Sequence, residues 1–368
     1  MGKLIRFAII GCGGMGGGHV GSINSIPDTK IVAVCDIIRE RAVERAKLAG
    51  PGCKPYKSIN NMLKRDDIDV VCICTPSGLH AKHGILAAKS GRHVITEKPI
   101  DVTVKAANAL IDTCKEMGVK LMCISQHRFD EDFIKLKKAV DEGTLGKLNF
   151  CASHTKWYRS QKYYDNGGWR GTWKLDGGGA LMNQSVHYID MMQYIMGPVE
   201  EVKAYTATRS HTIETEDVGA ACVKFKSGAI GIIEGNTTAY PGFYTRLDVF
   251  GDDGGVIIEN DTIREWKIRT EVEAAKALED AAKETAKAAG IEYVPAPKEA
   301  AVKDTGPKGA ASAAITLGSH AQQIQAFADA VRNDTETPVP PESTRHAMAI
   351  IVAIYKSVKT GKAEKVLG

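Results

Sequence analysis

The sequence predicts an α/β protein in two parts: an N-terminal doubly wound parallel sheet, then a C-terminal α/β domain built on an open, largely antiparallel sheet. Three observations carry this. A glycine-rich turn follows the first apolar run, strand-like and helix-like segments alternate strictly to residue 126, and beyond it strands follow one another with few helices between them. A chain of 368 residues is too long for one typical domain. We divide it at 1–126 and 127–368.

The first unit reads "LIRFAII" from Leu4 to Ile10, an apolar run of strand length, followed by Gly11-Cys12-Gly13-Gly14-Met15-Gly16. A match to G-x-G-x-x-G is weak by itself in a chain with 37 glycines. Its context strengthens it: His19, Val20, Ile23 and Ile26 recur at helical spacing, and the next strand, "KIVAVCD", ends at Asp36, twenty residues beyond Gly16. A dinucleotide-binding βαβ unit places there the acid that binds the adenosine ribose hydroxyls. Gly11 permits the sharp turn, Gly13 the approach of backbone N–H groups to a pyrophosphate, and Gly16 close packing of helix on strand. The pyrophosphate then sits at the positive end of the helix dipole, over Gly14 and Met15. Asp36 accepts from both ribose hydroxyls and repels a 2′-phosphate, so NAD is expected over NADP; Arg39 tempers that preference.

The alternation continues through a short helix capped by Ser58, the strand "DVVCICT", a helix ending at Gly91, the strand "HVITEKP", the helix "TVKAANALIDTCKEMG" and the strand "KLMCIS". The first domain is therefore expected to be a Rossmann domain. Beyond it, "KLNFCASHTKW", "EVKAYTATRS", "GAACVKFKSG", "AIGIIEGNTTAY" and "TRLDVFGDDGGVIIEN" read as strands, covered by a helix beginning near Gly179. Residues 271–314, rich first in Ala, Lys and Glu and then in Pro, Gly and Ala, read as a surface insertion of one solvated helix and a loop. Two amphipathic helices close the fold.

Composition sets outer limits. Hydrophobic content of 43% and charged content of 25% describe an ordinary globular protein, and a net charge of +4 gives no reason to invoke nucleic acid. No apolar stretch approaches a membrane-spanning length, and the opening residues run into a strand rather than a signal-peptide cleavage site. Nine scattered cysteines fit a reducing cytoplasm better than a disulfide framework. Cys72 and Cys74 form C-x-C inside a strand with apolar partners, and no metal is expected there or elsewhere.

Two constellations carry chemistry. Glu97-Lys98-Pro99 ends a parallel strand, and such ends face the cofactor crevice, so Lys98 is expected beside the nicotinamide. Burial and the positive charge of oxidised nicotinamide disfavour the ammonium and bring Lys98 towards a range useful for proton transfer. In "DGGGALMNQSVHYID", Asn183 and His187 are spaced i, i+4 and share one helix face. Between these lies "WYRSQKYYDNGGWRGTWKLD", with three tryptophans and three tyrosines interleaved with Arg159, Gln161, Asp165 and Arg170. That composition suits a loop that stacks on pyranose rings and bonds their hydroxyls.

"GCGGMG", "VCD", "CTPSGLH" from Cys74 to His80, "TEKPI" from Thr96 to Ile100, "HRF" at His127 to Phe129 and "GGGALMNQSVHYID" together resemble the glucose-fructose oxidoreductase, inositol dehydrogenase and rhizopine catabolism (Gfo/Idh/MocA) family. The resemblance implies hydride transfer between nicotinamide and a sugar or cyclitol hydroxyl. It implies a cofactor site that adds Thr75, Pro76, His80, Glu97, Lys98, Gln126, Trp169 and Arg170 to the glycine loop and Asp36. It implies Lys98 and His187 as the catalytic pair, with Arg128, Arg159, Tyr164, Trp173 and Asn183 on the substrate. Many relatives carry aspartate where this chain has Asn183, a departure that removes a carboxylate beside the histidine and makes Asn183 an orienter rather than an acid or base. Relatives with asparagine there and an aromatic loop often act on glycosides or nucleotide sugars, which favours a ring position such as C3. An NAD-holding glycosidase, a keto-sugar reductase and a cofactor-binding regulator without turnover remain alternatives. The strands "AIGIIEG" and "RLDVFG" are expected to expose Ile, Val and Phe on an outer face that pairs into a homodimer, homotetramer or higher oligomer.

Overall fold

The structure, a computed structural model, describes residues 3–295 and 317–367. Its first half comprises β1 (Ile5–Ile10), α1 (Gly14–Asn24), β2 (Thr29–Cys35), α2 (Arg39–Ala49), β3 (Lys54–Tyr56), α3 (Ile59–Met62), β4 (Val70–Ile73), α4 (His80–Lys89), β5 (His93–Thr96), α5 (Val104–Glu116) and β6 (Leu121–Cys123). The six strands lie in the order β3-β2-β1-β4-β5-β6 and every pairing is parallel. The order reverses between β1 and β4, so the carboxyl ends of these two strands open the crevice in which doubly wound sheets bind ligands. That is the Rossmann sheet expected.

Local chemistry explains the elements. In β1 every residue but Arg6 is buried, as a strand covered on both faces requires. Helix α1 carries five glycines and has little intrinsic helicity; burial of His19, Val20 and Ile23 holds it instead. Ser58 caps α3 by accepting from the Asn61 N–H, and Thr103 caps α5 by accepting from that of Ala106. The edge strand β3 escapes a sequence pattern search because it has three residues, one of them Pro55, which only an edge tolerates.

The second half runs through α6 (Glu131–Asp141), β7 (Leu148–Lys156), α7 (Gln161–Asp165), a π-helical segment (Ala180–Ser185), α8 (Val186–Met196), β8 (Val199–Ala207), β9 (Val218–Phe225), β10 (Ile230–Asn236), β11 (Thr245–Gly251), β12 (Gly254–Glu259), β13 (Thr262–Ile268), α9 (Arg269–Ala288), α10 (Leu317–Asn333), α11 (Pro341–Thr360) and β14 (Glu364–Lys365). The eight-stranded sheet has the order β13-β12-β11-β7-β10-β9-β8-β14. All its pairings are antiparallel except β7 with β10. The stretch "TRLDVFGDDGGVIIEN" is a hairpin rather than one strand, folding back at Asp252 and Asp253.

One core joins the two sheets, running from Ala8, Ile10 and Val71 to Leu181, Ile189, Leu247 and Ile351. A second lies behind the parallel sheet, where Ile324 and Phe327 of α10 pack with Ile5, Phe7 and Ile23. Helix α9 is the solvated helix expected of the insertion, with only Ala286 buried; the loop expected after it falls outside the described residues from 296 onward. On the outer face of the large sheet, the register sets Ile230, Phe150 and Phe250 side by side. Val249 instead points inward and is fully buried, so the exposed face is Ile and Phe mixed with Glu234, Arg246 and Asp248 rather than a Val-bearing apolar surface.

Gly11 has φ +97°, and a Cβ there would collide with the Cys74 carbonyl; a Cβ at Gly16 would collide with the Gly11 carbonyl. Gly16→Ala therefore drives α1 away from β1. The expected result is a loss of about 1–3 kcal/mol of stability together with weakened NADH binding, read by urea unfolding and NADH fluorescence; a variant with wild-type values in both would refute this account.

Candidate active site

The crevice begins at the glycine loop. A Cβ on Gly13 or Gly14 would meet no atom within 4 Å, and no side chain caps the first N–H groups of α1. This leaves an open cradle of backbone donors at a helix N-terminus, suited to a pyrophosphate. Asp36 accepts from the Cys12 N–H through one carboxylate oxygen and from the Ile38 N–H through the other, each at 2.8 Å, so it braces the loop and keeps lone pairs for a ribose. Arg45 of α2, which the sequence pattern does not single out, donates to the Cys12 carbonyl at 3.1 Å. The carboxamide oxygen of Gln126 is buried without a partner among the described residues. The residues present therefore fit a dinucleotide: Gly11 to Gly16 and Asp36 would hold its adenosine half, and Gln126 would stand towards the reacting end.

Glu97 and Lys98 leave β5 in opposite directions. Glu97 turns inward, accepting from Nε2 of His19 on α1 at 2.8 Å and from Nε2 of His320 on α10 at 3.3 Å. Burial opposes its charge, but the two imidazoles win and hold the carboxyl well below the usual carboxylate range. The three ligand atoms lie within 4.8 Å of one another, as a metal would require. Both Nδ1 atoms, however, are buried without partners among the described residues, whereas a metal-bound imidazole donates its second N–H. The cluster is a hydrogen-bonded clamp of the glycine helix to β5, which gives Glu97 an indirect relation to the cofactor.

Lys98 turns outward to the second sheet. Its Nζ donates to the backbone oxygen of Asn183 at 2.8 Å and to Oδ1 of Asn183 at 3.3 Å. Burial pushes its pKa down, while the charges of Glu97 and Asp176 hold it back from falling further. Asn183 is itself held: its Nδ2 donates at 2.6 Å to Asp176, whose other oxygen accepts from the Gly171 N–H. Burial lifts the Asp176 carboxyl to about 6. Asp176 is the residue the sequence reading passes over, although it directly precedes the Gly177 to Gly179 run.

Residues 180–185 form a π turn rather than the start of an α-helix, so Asn183 and His187 lie on either side of a π–α junction instead of on one uniform helix face. The turn is anchored by Glu216, which accepts from the Gly179 and Leu181 N–H groups and from the Tyr355 hydroxyl. Its carboxyl is driven up to about 7 by burial, against those same bonds. His187 lines a cavity with Lys98 and His127 but is not bonded to Lys98; Gln126 Nε2 lies 3.4 Å from its Nδ1. Burial, then the charges of Lys98 and His127, press its pKa well below the ordinary imidazole value.

The remaining expected site residues divide into two groups. Arg159 donates to Gln184 at 3.0 Å and lies over the rings of Trp157 and Tyr163; Arg170 lies over Tyr163 and Trp169. Gln184 also donates to Asn183, which ties this aromatic loop to the Lys98 centre. The others are engaged elsewhere. Arg128 is buried in a bidentate pair with Asp190 at 2.9 and 2.5 Å, and the Tyr164 hydroxyl is buried against Thr237. Neither presents a free group to a substrate: their placement is that of supports. Trp173 sets its ring edge-on to Tyr355 of α11. His80 faces the carbonyls of Pro99 and Thr75 at 2.7 and 2.8 Å, tying the loop after β4, with Pro76, to the chain beyond Lys98.

Both halves of the chain are similar to known oxidoreductases. Residues 5–125 match the model of an oxidoreductase family with an NAD-binding Rossmann fold, and residues 133–257 that of the GFO/IDH/MocA C-terminal domain. The chain is 30% identical to myo-inositol 2-dehydrogenase of Thermotoga maritima over 263 residues, 70% of this chain and 75% of that protein. It is 28% identical to D-glucoside 3-dehydrogenase of Escherichia coli over 225 residues, 60% of this chain and 61% of that protein. The crystal structure of the WlbA dehydrogenase of Bordetella pertussis, in complex with NADH and UDP-GlcNAcA, superposes with a TM-score of 0.82 at 29% identity and covers 100% of both chains.

The raised Glu216 carboxyl makes a signed prediction. The unfolded chain loses this proton near the ordinary 4.5 and the native protein near 7, so Glu216 favours folding below 4.5 and that contribution is lost as pH rises to 7. Relative to Glu216→Gln, the wild type should therefore gain up to about 3 kcal/mol of stability between pH 8 and pH 5. Urea unfolding of both proteins at the two pH values measures this, and a difference independent of pH would contradict it.

Proposed function

The chain belongs to the Gfo/Idh/MocA oxidoreductase family, and from that premise we propose that it oxidises a ring hydroxyl of a sugar, glycoside or nucleotide sugar, with C3 favoured. It is an NAD-dependent oxidoreductase of a sugar or cyclitol CH–OH group. The observation that carries the proposal is the Lys98 ammonium at the carboxyl end of β5, bonded to Asn183 and sharing a cavity with His187.

The bound cofactor supplies the hydride acceptor. Burial depresses the pKa of Lys98, and in its neutral amine form its Nζ would take the hydroxyl proton and become the ammonium. Asn183, fixed by Asp176, orients that hydroxyl, and His187 receives or holds the proton as part of one relay with Lys98. Arg159 and Arg170, both stacked over Tyr163, set two guanidinium groups beside the aromatic loop, an arrangement suited to a sugar bearing phosphate or carboxylate. Two relatives' names point the same way: one acts at position 3 of a glucoside, and one was crystallised with a nucleotide sugar. The mixed outer face of the large sheet, with Ile230, Phe150 and Phe250 in register, is the surface we assign to oligomer contacts.

NADH formation with NAD and a panel of pyranosides and nucleotide sugars tests the function. Lys98→Met is expected to keep NADH affinity and to lower turnover by roughly 10²–10⁴, His187→Ala to do likewise, and the double variant to be little worse than either. Sugar release without net NADH would favour the glycosidase alternative, and near-normal turnover by Lys98→Met would remove it from the proton path. Sedimentation at micromolar concentration should give a dimer or larger; a monomer would refute the assigned surface.

A further inference from the structure

We propose that His127, backed by Asp130 and Asp261, is the outlet for the proton released on oxidation, receiving it from Lys98 and His187 through the small cavity that the three side chains share. This rests on the dehydrogenase reading above. In that reaction the C–H bond breaks and its electron pair leaves with the hydrogen for the nicotinamide. The O–H pair becomes the second bond of the carbonyl, and one proton remains on the protein. That proton needs a route from the site to solvent.

The geometry supplies one. His127 stands in the turn after β6 and His187 in the first turn of α8, with ring centroids 5.4 Å apart and planes at 89°. Both line, with Lys98, a cavity of about 20 Å³. That volume accommodates one water molecule, and Ser125, Asp190 and Thr344 add polar groups to its wall. Behind the ring, Nδ1 of His127 lies 2.7 Å from Asp130 and 3.4 Å from Asp261, in the turn between β12 and β13. The Asp130 side chain is 13% exposed and that of Asp261 22%, so the path reaches solvent. Phe133 and Tyr188 meet the His127 ring edge-on and fix its plane.

The charges give the route a direction. Facing His127 are Asp130 at the start of α6, Asp261 from the β12–β13 turn, Asp190 and His187 from α8, and Lys98 from the end of β5. Asp190 is paired with Arg128. Burial opposes protonation of His127, but Asp261, Asp130 and Asp190 outweigh it and raise its pKa, whereas His187 is pressed down. Of the two imidazoles, His127 therefore holds a proton more tightly than His187 does.

The test uses the full chain with NAD and its best sugar substrate in dilute buffer. His127→Gln is expected to lower kcat by about 10²-fold with KM and NADH affinity unchanged, and rising concentrations of imidazole should restore the rate. Asp261→Asn should move the acid limb of the kcat–pH profile to lower pH, because neutral His127 must be available to accept, and it decides the matter if His127→Gln does not fold. An unrescued loss in His127→Gln means a supporting role only and overturns the relay, as does a wild-type pH profile in Asp261→Asn. A wild type that forms no NADH with any sugar overturns the dehydrogenase reading and the relay with it; an active wild type with unaffected variants overturns the relay alone.

Discussion

The contact between Lys98 and Asn183 is the joint on which the site depends. It brings the end of a parallel strand against a π turn 85 residues later in the chain, and so sets the cofactor crevice and the second sheet at a fixed distance. A lysine ammonium is costly to bury, and it is tolerated here because a backbone oxygen and a carboxamide oxygen accept from it while two carboxylates, Glu97 and Asp176, act on it through space. Neither carboxylate is bonded to the ammonium, although the Lys98 backbone N–H donates to Glu97 at 3.2 Å. Lys98 is therefore stabilised enough to remain in place and not so strongly that its proton becomes permanent.

Each partner in that joint is held by a layer behind it. Glu97 is fixed by His19 and His320, which come from the glycine helix and from α10, so the residue before the lysine registers the cofactor loop to the strand. Asn183 is fixed by Asp176, and the π turn by Glu216 and Tyr355. Both carboxyls are raised by burial, to about 6 and about 7, which marks them as groups kept for position at some cost in stability.

Much of this was legible in the residues. The parallel sheet, the glycine loop and Asp36 follow from periodicity and spacing, since a strand buried on both faces and an acid twenty residues beyond a glycine turn leave few other folds. Lys98 follows from the rule that strand ends face the crevice. What escaped was carried by long-range contact: Arg45 on the glycine loop, Asp176 behind Asn183, and the burial of Arg128 and Tyr164 as supports rather than substrate contacts. The π turn escaped because a four-residue spacing looks the same in either helix until Glu216, from a loop 35 residues away, takes the Leu181 N–H. The hairpin at Asp252 was signalled by Gly251-Asp252-Asp253-Gly254 between two strand-like runs, whereas the three-residue β3 was hidden by its length and its proline.

The asparagine at position 183 then acquires a physical meaning. An aspartate there would pair directly with the Lys98 ammonium, and an opposite charge at that distance favours the charged form. Such a lysine would be a poor acceptor for a hydroxyl proton. With Asn183, the acceptor facing Nζ is neutral and the carboxylate stands one residue farther back at Asp176, bonded to the carboxamide at 2.6 Å. The carboxamide transmits orientation without delivering the full charge, its Nδ2 turned to Asp176 and its Oδ1 to Lys98. A carboxylate is thus present but displaced to Asp176, one hydrogen bond behind the carboxamide, and Lys98 keeps a depressed pKa beside a neutral acceptor.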